Sequence, residues 1–201
     1  MQFLPEADLV SVSGGLSFEL GNVILLREGN YRVIASTELH EPFDQEVIVG
    51  TDSNQTFNFA FAPLPGFLKL NLDPDDAHAK VDNEPVGTLT ELKAGAHELT
   101  VVHKRYQPYT DIFEIEGKRI EREISVNLRP NWSDVEVSSI PAGAEIYIDG
   151  LKWPALTPVR IEAMAGEREI EIRKDGYTSY RQRIFAQAQQ PMTLATAKLI
   201  Q

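Results

Sequence analysis

Residues 141–150 read Pro-Ala-Gly-Ala-Glu-Ile-Tyr-Ile-Asp-Gly, a stretch that predicts a turn, a strand and a second turn. Pro141 and Gly143 are turn-forming residues, and apolar and polar side chains alternate over residues 144–149, as in a strand with one buried face. Gly150 follows an aspartate, and an Asp-Gly pair supplies the positive φ angles of a tight reversal into the next strand. We interpret this stretch as the centre of a small β module.

A second copy of this pattern lies upstream. Residues 74–83 align with residues 141–150 at a constant offset of 67, and residues 95–101 align with residues 166–172 at an offset of 71. The C-terminal copy therefore has four extra residues between its halves. We assign them to a loop at residues 151–158, because insertions in a repeat normally fall in loops.

The N-terminal third contains only the latter half of the pattern, with residues 29–35 aligned to residues 95–101 at an offset of 66. We therefore predict an all-β protein of three tandem small β-sandwich modules, at residues 1–64, 65–130 and 131–201. A sandwich follows because each alternating sheet must bury one face against a second sheet.

The predicted joints between modules are short and contain proline, at residues 63–66 and 129–131. Proline restricts the backbone, so we expect neighbouring modules to form a semi-rigid row. Trp132 follows the second joint, and we expect it to pack between the second and third modules.

Composition excludes several functional classes. The chain has no cysteine, which rules out disulfides, thiol catalysis and cysteine-based zinc sites. Its formal net charge is −11 and no basic stripe is present, so nucleic acid is not an expected partner. No apolar run approaches the roughly 18 residues that span a bilayer, so we expect no membrane insertion in this segment.

No motif of a catalytic site is present, and we predict neither catalytic residues nor a cofactor. His97 and His103 are the one histidine pair that could share a metal, although scattered surface histidines are the simpler interpretation and we predict no metal site. Asp73, Asp75 and Asp76 are interpreted as a solvated turn rather than a calcium site. The alternating glutamates at 167, 169 and 171 are interpreted as the solvent-exposed face of a strand.

Aromatic side chains are the better candidates for ligand binding. Trp153 lies between prolines in the inserted loop, and Tyr147 and Tyr180 could extend an aromatic surface for stacking on sugars or for burial in a partner. The alternative is structural, with Tyr177 packed beneath its turn. We take Trp153, Tyr147 and Tyr180 as the candidate ligand-binding residues.

The repeated landmarks resemble the PEGA domain family, named for a Pro-Glu-Gly-Ala run. The landmarks are Pro141, Gly143, Ala144, Asp149, Gly150, Gly166, Gly176 and Tyr177 in the third copy, and Pro74, Ala77, Asp82, Gly95 and Tyr106 in the second. Ala142 stands in place of the glutamate, and Arg105 in the second copy stands where the family has glycine. These landmarks are turn and core positions, so the resemblance implies structural modules without catalytic residues.

The resemblance also implies a place outside the bacterial cytoplasm, in the periplasm or on the cell surface. PEGA domains are often attached to another domain, such as a kinase or a sulfatase-modifying-factor-like domain. The N-terminus lacks the basic start and apolar core of a signal peptide. Either the protein is cytosolic or the targeting segment of a longer protein is absent from this sequence, and we expect the second.

We therefore predict a non-enzymatic spacer or interaction arm of a larger cell-envelope protein, whose partner is another protein domain or a surface polysaccharide. The alternative is a carbohydrate- or cell-wall-binding module that uses the exposed aromatics. A hydrolase with a site between modules would require two facing carboxylates in a cleft.

Overall fold

The computed structural model of the chain describes residues 1–20, 23–52 and 55–201. Every regular element among these residues is a β-strand. Consequently, no helix in the described part of the chain has the length and apolar character that a membrane crossing requires. The strands form several small sheets that group into three modules, which confirms the all-β prediction.

The N-terminal module has strands β1 (Gln2–Leu4), β2 (Leu9–Ser13), β3 (Ser17–Leu20), β4 (Val23–Leu26), β5 (Gly29–Ser36), β6 (Phe43–Val49) and β7 (Asn58–Ala60). Strands β2, β5 and β6 form an antiparallel sheet with β5 in the centre, β3 pairs with β4, and β1 pairs in parallel with β7. Buried Val33, Phe43 and Phe61 form its core, against which Phe3 and Phe59 pack. The core is thus rich in phenylalanine rings.

The middle module has strands β8 (Gly66–Asp73), β9 (His78–Val81), β10 (Glu84–Val86), β11 (Leu89–Leu92), β12 (Gly95–Val102), β13 (Tyr109–Ile115) and β14 (Glu121–Asn127). They form one sheet in the order β11-β8-β14 and another in the order β10-β9-β12-β13. Leu68, Leu70, Leu99 and Val101 are almost fully buried, in agreement with their alternating pattern in the sequence.

The C-terminal module has strands β15 (Trp132–Val137), β16 (Ser139–Ile140), β17 (Glu145–Ile148), β18 (Leu151–Leu156), β19 (Val159–Met164), β20 (Gly166–Arg173), β21 (Tyr180–Ala186), β22 (Met192–Thr193) and β23 (Ala197–Lys198). Its sheets have the orders β19-β15-β22, β16-β23 and β18-β17-β20-β21. Val135, Ile146, Ile161 and Ile170, each no more than 1% exposed, lie at the centre of its core.

Residues 151–158 are not an irregular loop, contrary to the sequence interpretation. Leu151–Leu156 forms β18, an edge strand that is antiparallel to β17. The pairing shifts register between Tyr147, opposite Lys152, and Glu145, opposite Leu156. Pro154 lies within this irregularity at the sheet edge, where a residue without a backbone N–H is tolerated. The extra residues of this copy therefore extend a sheet.

The chain separates into two compact units, each with most of its residue contacts inside itself. One contains Met1–Asn71, Val81–Leu99 and Asp111–Ser125, and the other contains Leu72–Lys80, Thr100–Thr110 and Val126–Gln201. The division passes through the middle module rather than between modules. The module boundaries at residues 64 and 130 therefore stay a prediction.

Two buried hydroxyl groups fix the turn at residues 141–144. Ser139 Oγ donates to the Pro141 carbonyl at 2.8 Å and lies 2.6 Å from Thr157 Oγ1. Thr157 Oγ1 in turn accepts a hydrogen bond from the Ala144 N–H at 3.0 Å. Ser139, Ala144 and Thr157 are all buried, so each bond replaces one that water would otherwise provide.

We expect Thr157→Val to destabilise the protein by about 1 to 3 kcal/mol, because valine keeps the shape but leaves the buried Ala144 N–H without its acceptor. Urea denaturation followed by circular dichroism measures the loss. Thr178→Val, at an exposed position of the same module, is the matched control and should change stability much less. Equal effects of the two substitutions would contradict a structural role for the Thr157 hydroxyl.

Candidate functional site

The second joint is hydrogen-bonded to the middle module along its backbone. The N–H of Gln107 donates to the Arg129 carbonyl at 2.8 Å, and the N–H of Asn131 donates to the Arg105 carbonyl at 2.9 Å. Between these two bonds, Tyr106 and Pro130 form an isolated antiparallel bridge. The joint is therefore paired like a very short strand.

The first joint repeats the same arrangement 66 or 67 residues upstream. The N–H of Glu41 donates to the Ala62 carbonyl at 2.8 Å, and the N–H of Leu64 donates to the Leu39 carbonyl at 2.9 Å. His40 and Pro63 form the corresponding bridge. Both joints are thus built by one backbone pattern.

Each joint is also hydrogen-bonded to the module that follows it. At the first joint, the N–H of Arg119 donates to the Pro65 carbonyl at 2.9 Å. At the second, the N–H of Gln189 donates to the Trp132 carbonyl and that of Ala165 to the Asn131 carbonyl, at 2.8 and 2.9 Å. Each joint is therefore held from both directions.

The two joints differ in their side chains. Trp132 packs at the second joint, where its ring centroid lies 5.4 Å from that of Tyr106 with the two planes nearly perpendicular, and 4.5 Å from the Arg105 guanidinium. Arg105 is also paired with Glu162. A cation over an indole face is favourable, and the ion pair fixes the orientation of the guanidinium. The packing of Trp132 agrees with the structural role expected for it.

At the offset of 67 that relates the two joints, Trp132 corresponds to Pro65, and the next residue, Gly66, leaves no room for a side chain. A Cβ at Gly66 would lie 2.9 Å from both Ile115 Cγ2 and the Ile120 carbonyl oxygen. At neighbouring Gly117, a Cβ would lie 2.7 Å from the Leu64 carbonyl oxygen. The backbone at and beside the first joint is therefore closely packed at Gly66 and Gly117.

A buried carboxylate lies on β20 of the third module, contrary to the solvent-exposed role expected for Glu171. Glu171 is only 6% exposed. Its carboxylate accepts a hydrogen bond from Arg173 at 2.6 Å and pairs with Arg181 at 3.2 Å. The hydrogen bond from Arg173, reinforced by Arg181, outweighs the effect of burial and lowers the pKa of Glu171 to about 2.

Tyr147 belongs to the same charged cluster. The Arg173 guanidinium lies 4.0 Å from the centroid of its ring, and its hydroxyl donates to Glu145 at 2.9 Å. Lys152, opposite on β18, also pairs with Glu145. The charged groups of this cluster are therefore paired with one another, and these pairs connect neighbouring strands of the sheet.

Each of the three candidate ligand-binding aromatics has contacts within the third module. Tyr147 is covered by Arg173, whereas Trp153 and Tyr180 are partly buried and pack against the core of the third module. Tyr177 packs against that core as well, in line with its structural interpretation. Carbohydrate binding by Trp153, Tyr147 and Tyr180 stays a prediction.

The histidines engage different carboxylates. His97 Nδ1 lies 2.7 Å from Asp82, whereas His103 Nε2 lies 3.3 Å from Asp76. Within the described ranges, no group of three or more histidine, cysteine, aspartate or glutamate side chains is arranged to hold a metal. A comparison of aligned charges in the two copies could have identified the Asp82–His97 pair, because Asp149 and Arg168 occupy the same positions in the third module.

Surface depressions of the described structure include one in the third module and one in the first. One of about 560 Å³ adjoins Arg173 and Lys174, but Lys174 donates to the Ala142 and Gly143 carbonyls and Arg173 to Glu171. The other, of about 1150 Å³, lies in the first module and is lined in part by Phe3, Val10 and Leu25. Carboxylates line both depressions in part, Glu6, Glu28 and Asp52 in the first module and Glu145 and Asp175 in the third.

Residues 132–198 match the PEGA domain family, so the third module is a PEGA domain. Among solved structures, the chain is similar to the Bacillus anthracis TIE protein, with a TM-score of 0.43 and 13% sequence identity. That similarity covers 94% of this chain and 46% of the other, so this chain spans less than half of that protein. No curated protein matches the sequence.

We expect Glu171→Gln to destabilise the protein at neutral pH by about 1 to 2 kcal/mol, since it removes a charged hydrogen-bond acceptor whose arginine partners are themselves half exposed. Folding lowers the pKa of Glu171 from 4.5 to about 2. The stabilisation is therefore complete above the unfolded value and is lost as the pH falls through the folded one. Urea denaturation across this pH range should show the variant and wild type converging in acid.

Glu167→Gln is the matched control on the same strand, at an exposed position opposite Phe185. It should change stability little at any pH in this range. A constant difference between Glu171→Gln and wild type from neutral to acid pH would show that the carboxylate charge does not stabilise the sheet.

Proposed function

We propose that this chain is a non-enzymatic array of β modules that serves as a spacer or interaction arm of a larger bacterial cell-envelope protein. The observation that carries the proposal is the repeated construction of the two joints. Each joint is hydrogen-bonded to the module before it and to the module after it. Such bonding limits the motion of a linker far more than its length alone would.

The chemistry of the surface supports the same proposal. Near the depression in the third module, Arg173 and Lys174 donate hydrogen bonds to acceptors of the protein itself. The negative charge of Glu171 is paired with the positive charges of two arginines. PEGA domains are typically non-catalytic, and the third module is one of them. A scaffold whose charged groups satisfy one another is suited to holding attached domains apart.

The placement outside the cytoplasm and the attachment to another domain are parts of this proposal. The partner would be an effector domain of the same protein, of which a sulfatase-modifying-factor-like domain is one example, or a second protein of the envelope. The net charge of −11 favours a partner surface that is neutral or basic, because a strongly acidic one would be repelled.

An immunoblot of fractionated source cells, with an antibody raised against this chain, tests the proposal. We expect a band well above 22.5 kDa in the envelope fraction. Known cytosolic and envelope proteins in the same fractions control for cross-contamination. A band near 22.5 kDa in the cytosol would overturn both the compartment and the larger protein, and a band of that size in the envelope would overturn only the larger protein.

A further inference from the structure

An aspartate and an arginine connect two turns of the third module. Asp149 Oδ1 accepts a hydrogen bond from the Glu169 N–H at 2.9 Å, and its Oδ2 accepts one from Arg168 at 3.3 Å. The same guanidinium donates to the Met164 and Ala165 carbonyls at 2.8 and 2.9 Å. Since the Ala165 N–H donates to the second joint at Asn131, Arg168 links the Asp149 turn to the turn that holds the joint.

The middle module has the same connection with a different cation. Asp82 Oδ1 accepts a hydrogen bond from the Glu98 N–H at 2.9 Å, as Asp149 does from Glu169. Asp82 Oδ2 lies 2.7 Å from His97 Nδ1, and His97 Nε2 lies 2.9 Å from the Lys93 carbonyl oxygen. His97 thus occupies the place of Arg168, 71 residues upstream.

The Lys93–Ala94 turn, to which His97 is hydrogen-bonded, also lies near a joint, in this case the first. Ala94 follows Lys93, and a Cβ on Gly117 would lie 2.9 Å from the Ala94 side chain and 2.7 Å from the Leu64 carbonyl oxygen. Gly117 therefore sits between this turn and the first joint. Lys118, the next residue, donates its N–H to the same Leu64 carbonyl at 2.6 Å. A shift of the Lys93–Ala94 turn would reach the first joint through these contacts.

The protonation state of His97 decides whether the connection is complete. Both ring nitrogens face atoms that can only accept hydrogen bonds, a carboxylate oxygen and a carbonyl oxygen. A neutral imidazole has one N–H and can satisfy only one of them, whereas the imidazolium satisfies both. Arginine keeps its charge at every accessible pH, so Arg168 has no such dependence.

The surroundings of His97 favour its charged form. Its side chain is 12% exposed, the Phe113 ring of β13 lies 5.7 Å away, and Asp82 is the charged group that pairs with it among the described residues. Burial opposes the charge, but the hydrogen bonds to Asp82 and to the Lys93 carbonyl outweigh it and raise the pKa of His97 above its usual value. The hydrogen bond from the Glu98 N–H, and to a smaller extent the one from His97, lowers the pKa of the Asp82 carboxyl, so that the carboxylate stays charged.

We propose that His97 is a protonation-dependent clamp on the first joint, while Arg168 is a permanent clamp on the second. The clamp is complete below the unfolded pKa of histidine and is lost as the pH rises through the higher folded value. The first joint would then loosen toward alkaline pH and the second would not. This inference concerns the joint alone and does not depend on what the array supports.

Amide hydrogen exchange of the full chain, followed by NMR, tests the proposal. The Glu98 N–H reports on the clamp, the Lys118 N–H reports on the first joint, and the Glu169 N–H is the matched site in the third module. Between about pH 5 and pH 9, the protection of Glu98 and Lys118 should fall relative to that of Glu169, by up to about tenfold for each unit by which folding raises the pKa of His97.

Two variants separate the clamp from a general effect of pH. His97→Arg copies the third module and should remove the pH dependence of the protection ratios. His97→Gln should give low protection at both ends of the range. The same pH dependence in His97→Arg as in wild type, or constant ratios in wild type, would overturn the proposal.

A measurement on wild type alone covers the case in which a variant fails to fold. The ring nitrogens of His97 should both carry protons at acid pH, and their titration midpoint should coincide with the loss of protection at Glu98. A midpoint that lies apart from this loss, or a ring that stays neutral at acid pH, would equally overturn the proposal.

Discussion

The constraint on which the rest of the array depends is the hydrogen bonding of backbone groups in its joints. A linker between two domains normally leaves its N–H and C=O groups to water, and it remains mobile for that reason. Here the Asn131 N–H donates to the Arg105 carbonyl, and the Arg129 carbonyl accepts a hydrogen bond from the Gln107 N–H. Leu64 and Ala62 make the same two bonds with Leu39 and Glu41 at the first joint. Because the bonds involve only the backbone, they persist in both joints although the local sequences differ.

The side chains around this constant backbone have diverged. Trp132 fills the second joint with an aromatic ring, whereas Gly66 allows close backbone packing at the first. Asp82 and Asp149 accept the same backbone hydrogen bond, from Glu98 on β12 and from Glu169 on β20, yet one aspartate pairs with a histidine and the other with an arginine. The two joints thus share one pattern of backbone hydrogen bonds and differ in the side chains around it.

The sequence predicted those features that depend on local pattern. Alternation located the buried faces of β17 and β20, where Ile146 and Ile170 lie in the core, and the repeat located the equivalent turns. It did not predict the burial of Glu171, because that burial depends on arginines of its own and a neighbouring strand. Nor did it predict β18, since Pro154 in a short apolar stretch indicates a loop unless the bulge that accommodates it is known. The packing of Trp153 against the core followed from that same strand.

Interdomain distances measured by electron spin resonance would test most directly whether the joints hold neighbouring modules in place. The chain has no cysteine, so spin labels can be attached at Thr110→Cys and Arg183→Cys without removing native thiols. Both positions are exposed strand residues, one on each side of the second joint. We expect a single narrow distance distribution that broadens when Trp132→Ala is added. A broad distribution in the parent protein, unchanged by Trp132→Ala, would contradict the account.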